Sequence, residues 1–439
     1  MSWWKKKSKE NKARTVSSIE KVKVPADSLA IGMYICELDR PWAESPFLFQ
    51  GFFLRNEADM EAVQQLCQFV YVDVSKQEKL EQERASSRHK KPQNGLVIDR
   101  PVKKIRFGKA PEKKVSIEKE IERASATYSK TSNLVKTMMD EVRLGNSIDS
   151  KAAKLAVSEC VESVIANPDA MMWLTQLKKR DEYTSEHSLN VCLLAIAFGR
   201  HIGMPAQQLE QVGLCGMLHD MGKMLTPLDV LNKPGKLTEE EFLIMKKHPN
   251  DGREILMSSG GVFPGAIDVA YGHHEWLNGG GYPRKLKTDQ ITPYTKMVAI
   301  VDAYDAITSN RAYDDGRTHM EALKILTKQR GTHFDQDYTI QFVDCIGIFP
   351  PGCIVELSSG EVGIVTEVDF RHKLRPKVII LLDEEKQICR ERKIDLNKLD
   401  LDAEGNPYRI VQVVTAKKYN IDIHKYHKEQ VIVTAEVMM

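Results

Sequence analysis

The pattern of apolar and polar positions divides the chain into stretches of different texture. In the first of them, residues 21–74, a strand-like run at 32–38 precedes apolar residues at helical spacing between Glu57 and Phe69. An aromatic and β-branched run at 69–74 follows, and it indicates a second strand. Strand, helix and strand over so short a distance predict a small α/β module.

The middle stretch, residues 116–345, predicts helices almost throughout. Its apolar residues recur at helical spacing, and glycine, proline and asparagine clusters separate the segments. The clearest predicted helices are 117–142, 152–166, 188–201 and 239–247.

After residue 346 the pattern changes to short runs of β-branched residues separated by turn residues. The runs at 353–357, 363–368 and 378–382 predict a short antiparallel β segment. The predicted fold class is therefore mainly α: a helical domain with a small N-terminal α/β domain and a C-terminal β-rich extension.

Two further segments carry no regular apolar pattern. Residues 76–115 begin with a run charged at nearly every position and continue into serine, proline and glycine, which predicts a charged linker. Residues 1–20 are basic and lack an apolar core, so they predict a disordered tail and no secretory signal. The predicted domains are 21–75, 116–345 and 346–439.

Composition excludes several classes of protein. The 439 residues are 42% hydrophobic and 28% charged, as in soluble globular proteins, and the net charge of +2 gives no general field for a nucleic acid polymer or a membrane. No apolar run is long enough for a transmembrane segment. The eight cysteines form no C-x-x-C pair, which argues against a zinc knuckle and predicts reduced thiols in a cytoplasmic protein.

A set of histidines and aspartates in the helical stretch suggests a metal centre. Imidazole and carboxylate suit divalent transition metals, and helices packed side by side can direct such residues into one space. Seven of them are too many for one open site, so they predict two metals that share a bridging carboxylate, an arrangement suited to phosphoester hydrolysis. The candidate ligands, each predicted on a different helix, are His187, His219, Asp220, His248, His273, His274 and Asp302.

Other residues of this stretch suit an anionic substrate. Lys223 lies three residues after Asp220, so on a helix it would share the face of Asp220 and could hold a phosphate oxygen. Arg311 could form a bidentate contact with phosphate or guanine, although a surface salt bridge is its ordinary alternative. The glycine-rich segment 278–283 lets backbone approach a ligand, and Tyr282 could stack on a base.

Together these motifs resemble the HD-GYP family, a subgroup of the HD metal-dependent phosphohydrolases, over roughly residues 130–345. Residues 21–74 also resemble a small domain of unknown role that often precedes HD-GYP domains. The motifs that carry the HD-GYP resemblance are Tyr183–Ser188, His219–Lys223, His248–Pro249, His273–Glu275, Gly279–Pro283, Asp302–Ala306 and Arg311–Tyr313.

The resemblance implies a phosphodiesterase that opens cyclic di-GMP to pGpG, and in some members continues to GMP, with two divalent metal ions, iron or manganese. By position, the seven candidate ligands match those of the family, with Asp220 as the bridge. The implied catalytic residues are His219, Asp220 and Lys223, and the implied substrate contacts are Lys223, Gly281, Tyr282 and Arg311.

The chain departs from the family pattern at a few positions. Tyr183 stands where some members have a glutamate that binds a third metal, so two metals are expected. Asn278 and Gly280 replace the usual aspartate and hydroxyl residue of the loop, and Asp314 replaces a basic residue. An acid at 314 weakens the attraction for phosphate.

Three hypotheses follow. The first is a cyclic di-GMP phosphodiesterase regulated by its N-terminal domain, with protein partners that bind at the GYP loop or that domain, and with a homodimer compatible with the layout. The second, which Asn278 and Asp314 favour slightly, is an effector that binds cyclic di-GMP with little turnover. The third is an HD enzyme for another nucleotide, against which the GYP loop argues.

Overall fold

The computed structural model describes most of the helical and C-terminal stretches and part of the N-terminal one. The described residues are 21–30, 33–40, 52–54, 57–73, 108, 111–177, 183–309, 317–369, 372–399, 401, 405, 407–428, 433 and 436–437. Two compact units divide the chain, residues 1–99 and 100–439. None of the described helices combines the length and the apolar character that a membrane span requires.

The described part of the first unit has the predicted α/β character. Its elements are β1 (Lys21–Pro25), β2 (Tyr34–Leu38), β3 (Phe52–Phe53), α1 (Glu57–Leu66) and β4 (Phe69–Asp73). The strands form one antiparallel sheet in the order β1-β4-β2-β3. Ile35, Leu54, Val63 and Val70 are fully buried and form its core with their neighbours.

The helical part of the second unit confirms the predicted mainly α fold. Its helices are α2 (Ile117–Arg143), α3 (Ser150–Ala166), α4 (Pro168–Leu174), α5 (Tyr183–His201), α6 (Ala206–Leu218), α7 (Leu228–Leu231), α8 (Glu239–Met245), α9 (His248–Ser258), α10 (Pro264–Gly272), α11 (Pro293–Thr308), α12 (His319–Gln329) and α13 (Gln336–Ile346).

Helix α5 lies at the centre of this part. Its residues from Ser185 to Arg200 are buried, which fits a helix that is apolar on nearly all sides. Cys192 of α5 and Cys215 of the neighbouring α6 are fully buried and serve as small apolar side chains. The core therefore surrounds the helix that carries His187.

One predicted helix is wrong in its extent. The segment 239–247 was expected to be continuous, but α8 ends at Met245 and a new helix begins at His248. Pro249 lies in the first turn of the new helix, where a missing N–H costs little, whereas inside a continuous helix it would remove a hydrogen bond. The break places His248 at a helix N-terminus.

The C-terminal part is a six-stranded sheet rather than a short segment of three strands. Its elements are β5 (Ile354–Leu357), β6 (Val362–Glu367), β7 (Lys377–Leu382), β8 (Ile388–Asp395), β9 (Ile410–Val414), α14 (Ile423–Lys428) and β10 (Glu436–Val437). The order is β10-β8-β7-β6-β5-β9, and the β8–β10 pairing is parallel while the others are antiparallel.

Polar contacts join this sheet to the helices of the same unit. Asp169 of α4 pairs with Lys113 and also accepts a hydrogen bond from the Val368 backbone N–H at 3.2 Å. Asp344 of α13 pairs with Lys373 and lies 3.1 Å from His201 Nε2 at the end of α5. The helix that carries His187 is thus fixed at its far end as well.

Candidate metal centre

The seven predicted ligands come together in one buried cluster, although they do not all lie on helices. His187 lies in α5, His248 begins α9 and Asp302 lies in α11. The other four follow helix ends: His219 and Asp220 come directly after α6, and His273 and His274 directly after α10. The expectation of one ligand per helix is therefore wrong for these two pairs, because the chain turns where each helix ends.

Asp220 lies between two groups of histidines. Its side chain is completely buried, and Oδ2 is 3.3 Å from Nε2 of His219 and 3.5 Å from Nε2 of His187. The other oxygen, Oδ1, is 3.4 Å from Nε2 of His248 and 3.6 Å from Nε2 of His273. Each carboxylate oxygen therefore faces a different half of the cluster.

Each half can supply three ligand atoms besides Asp220. In the first half, Asp302 Oδ1 is 3.0 Å from His187 Nε2 and 3.7 Å from His219 Nε2, and the three ligand atoms lie within 4.8 Å of one another. In the second half, ligand atoms of His248, His273 and His274 meet the same limit. The arrangement has the form of two metal sites with one shared carboxylate.

Backbone carbonyl groups orient three of the imidazole rings. Each ring places Nδ1 near a carbonyl oxygen of the preceding turn, at 2.7 Å for His219 and His248 and at 3.1 Å for His273. Because a carbonyl only accepts, Nδ1 carries a proton in each ring, which leaves Nε2, on the side of the cluster, as the atom that can bind a metal. This is the tautomer that a metal ligand needs.

The centre of the cluster contains polar atoms that a bound cation would satisfy. The Nε2 atoms of His248 and His273 lie 3.2 Å apart with their lone pairs toward each other. Within the described part of the chain, His219 Nε2 and Asp220 Oδ1 are buried without a hydrogen-bond partner. Buried polar atoms rarely lack a partner. Neutral imidazoles and carboxylates are suitable ligands for a divalent metal, which would supply that partner.

The pKa values of the histidines also agree with a site for a divalent metal ion. Burial lowers the pKa of His248 to about 3 and also lowers the pKa of His274, so both rings are neutral. Burial acts in the same direction at His219, but the carboxylates of Asp220 and Asp302 outweigh it and raise the pKa of His219 to about 10. The first half therefore strongly favours a positive charge, from a proton or from a metal ion.

Asp305 is a functional residue that the sequence reasoning missed. It is buried on α11, and its Oδ2 lies 2.8 Å from Nδ1 of His187, on the opposite side of the ring from the cluster. Ser309 Oγ and Asn190 Nδ2 also donate to its carboxylate. The sequence does contain a sign of this role: Asp305 lies three residues after Asp302, so both carboxylates share one face of α11.

Replacing Asp305 with Asn is expected to weaken metal binding by about ten- to a hundredfold, because carboxylates behind ligand histidines raise ring basicity and fix its orientation. Competition with a chromogenic chelator measures this affinity, and Asp229→Asn, at an exposed position of α7, is the control. Equal affinities for Asp305→Asn and the wild type would show that His187 needs no such support.

Lys223 reaches Asp220 as its spacing predicted, but from a 3-10 turn at Met221–Leu225 rather than a helix. Its Nζ pairs with Oδ2 of Asp220. The turn packs tightly on the start of α9: a Cβ on Gly222 would lie 1.9 Å from the His248 carbonyl oxygen. The glycine after the His-Asp pair therefore sets the distance between Asp220 and His248.

The glycine-rich loop, residues 278–283, lies beside the second half of the cluster, and hydrogen bonds between the residues before and after it hold its two ends together. Buried Glu275, also missed by the sequence reasoning, accepts hydrogen bonds from the backbone N–H groups of Arg284 and Leu286 at 2.6 and 2.8 Å. The Tyr282 ring stacks on the His274 ring with centroids 4.8 Å apart. The loop thus fixes Tyr282 against a candidate ligand.

Two positions of the loop, the substituted Asn278 and the unsubstituted Gly281, have clear structural roles. Asn278 Oδ1 accepts a hydrogen bond from the Gly280 N–H at 2.8 Å, so the amide closes the turn that an aspartate would close. Gly281 is buried, and a Cβ there would lie 2.3 Å from the backbone nitrogen of Trp276. Gly281 therefore has a packing role in the loop, beside the substrate contact predicted for it.

Arg311 and Asp314 lie outside the described residues, and the side chain of Tyr183 lies outside them as well. Their predicted roles stay predictions.

Comparison with known proteins assigns families to three parts of the chain. A domain of unknown function, DUF3391, matches residues 21–153, an HD domain matches 169–338, and a KOW domain associated with the HD domain matches 354–421. The first match extends past the predicted module and linker into α2 and α3. The HD domain family is metal-dependent, in agreement with the histidine and aspartate cluster.

Curated relatives agree with these matches. A cyclic di-GMP phosphodiesterase of Pseudomonas aeruginosa is 35% identical over 400 residues, which cover 91% of this chain and 93% of that protein. The cyclic di-GMP phosphodiesterase response regulator RpfG of Xanthomonas campestris is 38% identical over 36% of this chain and 42% of its own length. A 3′3′-cGAMP-specific phosphodiesterase of Vibrio cholerae is 33% identical over 36% of each chain. The chain therefore belongs to the HD-GYP family of HD-domain phosphodiesterases.

Proposed function

We propose that this protein hydrolyses cyclic di-GMP with two divalent metal ions, iron or manganese, held on the two sides of Asp220. The observation that carries the proposal is the position of this carboxylate, whose two oxygens face separate sets of histidines at 3.3–3.6 Å. The product is pGpG, or GMP if a second cleavage follows.

The proposed ligands of the first metal are His187, His219 and Asp302, and those of the second are His248, His273 and His274. When bound, two such ions activate water and neutralise the charge that develops on the phosphoryl oxygens. The protein holds the ligand atoms in place through the backbone carbonyls behind three of the rings and through Asp305 behind His187.

The remaining site residues are proposed to bind the substrate. Lys223 pairs with Asp220 Oδ2, and a metal ion on that oxygen would release the ammonium for a phosphate oxygen. Tyr282, fixed on the His274 ring, offers its ring or hydroxyl to a nucleotide, with Gly281 next to it. Arg311 is proposed as a further phosphate or guanine contact by its position in the family pattern.

The substrate assignment is supported by the relative that covers nearly the whole chain and acts, by its name, on cyclic di-GMP. We propose the matching organisation: a basic tail at 1–20, a regulatory domain at 21–75, a linker at 76–115, the phosphodiesterase domain at 116–345 and a β-rich extension from 346. We place the protein in the cytoplasm, with a homodimer and protein partners at the loop or the regulatory domain.

The test is product analysis by chromatography. Metal-loaded protein is incubated under reducing conditions with cyclic di-GMP or 3′3′-cGAMP, and His219→Ala serves as the inactive comparison. We expect pGpG or GMP from cyclic di-GMP at a higher rate than any product from 3′3′-cGAMP. Tight binding of cyclic di-GMP without product at full metal occupancy would instead identify an effector, and faster hydrolysis of 3′3′-cGAMP would overturn the substrate assignment.

A further inference from the structure

Lys246 is a cation beside the cluster, and it belongs neither to the proposed metal ligands nor to the proposed substrate contacts. It directly follows the last residue of α8, Met245, and lies two positions before His248. Its Nζ lies 4.9 Å from the centroid of the Tyr282 ring and 4.8 Å from that of the Phe242 ring. The side chain is partly buried, so two aromatic rings hold an ammonium group at the edge of the cluster.

This ammonium group has no acidic partner among the described residues, in contrast to those of Lys223 and Lys233. Lys223 pairs with Asp220, and Lys233 pairs with Glu241. Across the ranges that the structure describes, no carboxylate lies within ion-pair distance of Lys246. Aromatic faces attract a cation but accept no strong hydrogen bond, so the N–H donors of Lys246 are available to an anion.

Lys223 and Lys246 lie at opposite halves of the cluster. Lys223 contacts Oδ2 of Asp220, the oxygen that faces His187 and His219. Lys246 contacts Tyr282, whose ring stacks on His274 in the second half. The cluster thus has one cation engaged at its centre and one held at its outer edge.

A cyclic dinucleotide carries a second phosphodiester group that such a cation can bind. It contains two phosphodiester groups in one ring, and only one of them can lie at the metal ions at a time. The other keeps its full negative charge while it is brought close to a largely buried site, and a charge-assisted hydrogen bond from an ammonium group offsets that cost.

We propose that Lys246 binds the phosphodiester group that is not being cleaved, and so selects a cyclic dinucleotide over a substrate with one phosphodiester. The inference rests on the proposed function. It assigns Lys246 to substrate binding, and it predicts that the residue matters for substrates with two phosphates and little for substrates with one.

The experiment compares Lys246→Met with Lys247→Met in the full-length, metal-loaded protein. Methionine keeps the unbranched apolar stem against the two rings, and Lys247 is an exposed neighbour with the same charge. For Lys246→Met we expect KM for cyclic di-GMP to rise about ten- to a hundredfold, with kcat nearly unchanged, which is the loss of one hydrogen bond to a charged group. Kinetics on bis(4-nitrophenyl) phosphate should change by no more than about twofold, and Lys246→Arg should recover most of the affinity.

Two results would overturn the inference. Equal losses on both substrates, together with a lower metal content, would mean that Lys246 only supports Tyr282 and His274. An unchanged KM for cyclic di-GMP would mean that the ammonium group does not meet the substrate.

Failure of the proposed function can be told apart from failure of this inference. If the wild type binds cyclic di-GMP without cleaving it, the proposed function fails, and dissociation constants from calorimetry still decide the role of Lys246. A Kd raised about tenfold or more in Lys246→Met, but not in Lys247→Met, supports the inference. A wild type that neither binds nor cleaves cyclic di-GMP overturns both.

Discussion

The Asp220→Asn variant is expected to lose both metal ions and about four to six orders of magnitude in kcat. Each ion contributes several kcal/mol to the stabilisation of charge in the transition state, and every 1.36 kcal/mol is a factor of ten in rate. Asp220 faces both halves, with one oxygen 3.3–3.5 Å from two histidines on one side and the other 3.4–3.6 Å from two on the other side. An amide offers one such oxygen and turns N–H donors toward the other half.

Metal analysis of the purified variant and product formation from cyclic di-GMP, measured on the same samples, check this expectation. Asp229→Asn removes a carboxylate from an exposed position nine residues away and should keep metal content and rate. A thermal unfolding curve of Asp220→Asn separates loss of metal from loss of fold. An Asp220→Asn protein that folds, keeps two ions and turns over normally would rule out the bridging role.

The second large effect is expected from variants that damage one half only. His274→Ala should lower the metal content from two ions per chain to one, because His274 is grouped with His248 and His273 and not with the other half. His187→Ala should remove the other ion. Either change should cost about 3–4 kcal/mol of transition-state stabilisation, or about two to three orders of magnitude in kcat.

Metal analysis together with the spectroscopic signature of a coupled metal pair, for example in the manganese-loaded protein, tests this separation. Both single-half variants should keep one ion and lose the coupling. His372→Ala, at an exposed position far along the chain, is the matched control and should resemble the wild type. If His274→Ala removed both ions, or neither, the division of the cluster into two halves at Asp220 would be wrong.

The chemistry of the site could be predicted from the sequence because it depends on residue type. Imidazoles and carboxylates in a helical domain indicate a metal centre wherever they lie, and the His-Asp pair at 219–220 and the His pair at 273–274 are visible in one dimension. Helical periodicity likewise located α2, α3, α5 and α8 to within a few residues, since their buried faces follow the 3.6-residue repeat.

The grouping of the ligands could not be predicted in the same way. Which histidines share an oxygen of Asp220 depends on how α5, α6, α9 and α10 pack, and that packing is set by contacts distant in sequence. Asp305 was missed for the same reason: its role lies in a contact with His187, 118 residues earlier. Glu275 was missed because its partners are backbone N–H groups, which no sequence pattern displays.

The C-terminal sheet shows a different limit. Strands β5, β6 and β7 are buried and apolar, so their composition identified them. Strand β8 alternates exposed and partly buried positions only at its start, and its charged run Arg390, Glu391, Arg392 and Lys393 hides the period of two. Strand β9 is only partly buried, with two exposed residues among its five. Such strands are defined by the neighbours with which they pair rather than by their own composition.

The most direct test of the central claim is a titration of metal-free protein with manganese under reducing conditions, with cyclic di-GMP turnover measured at each step. If two ions, one on each side of Asp220, perform the hydrolysis, formation of pGpG or GMP rises with occupancy of the second site. It becomes maximal at two ions per chain. Turnover that is complete at one ion per chain, or that needs no metal, would contradict the account.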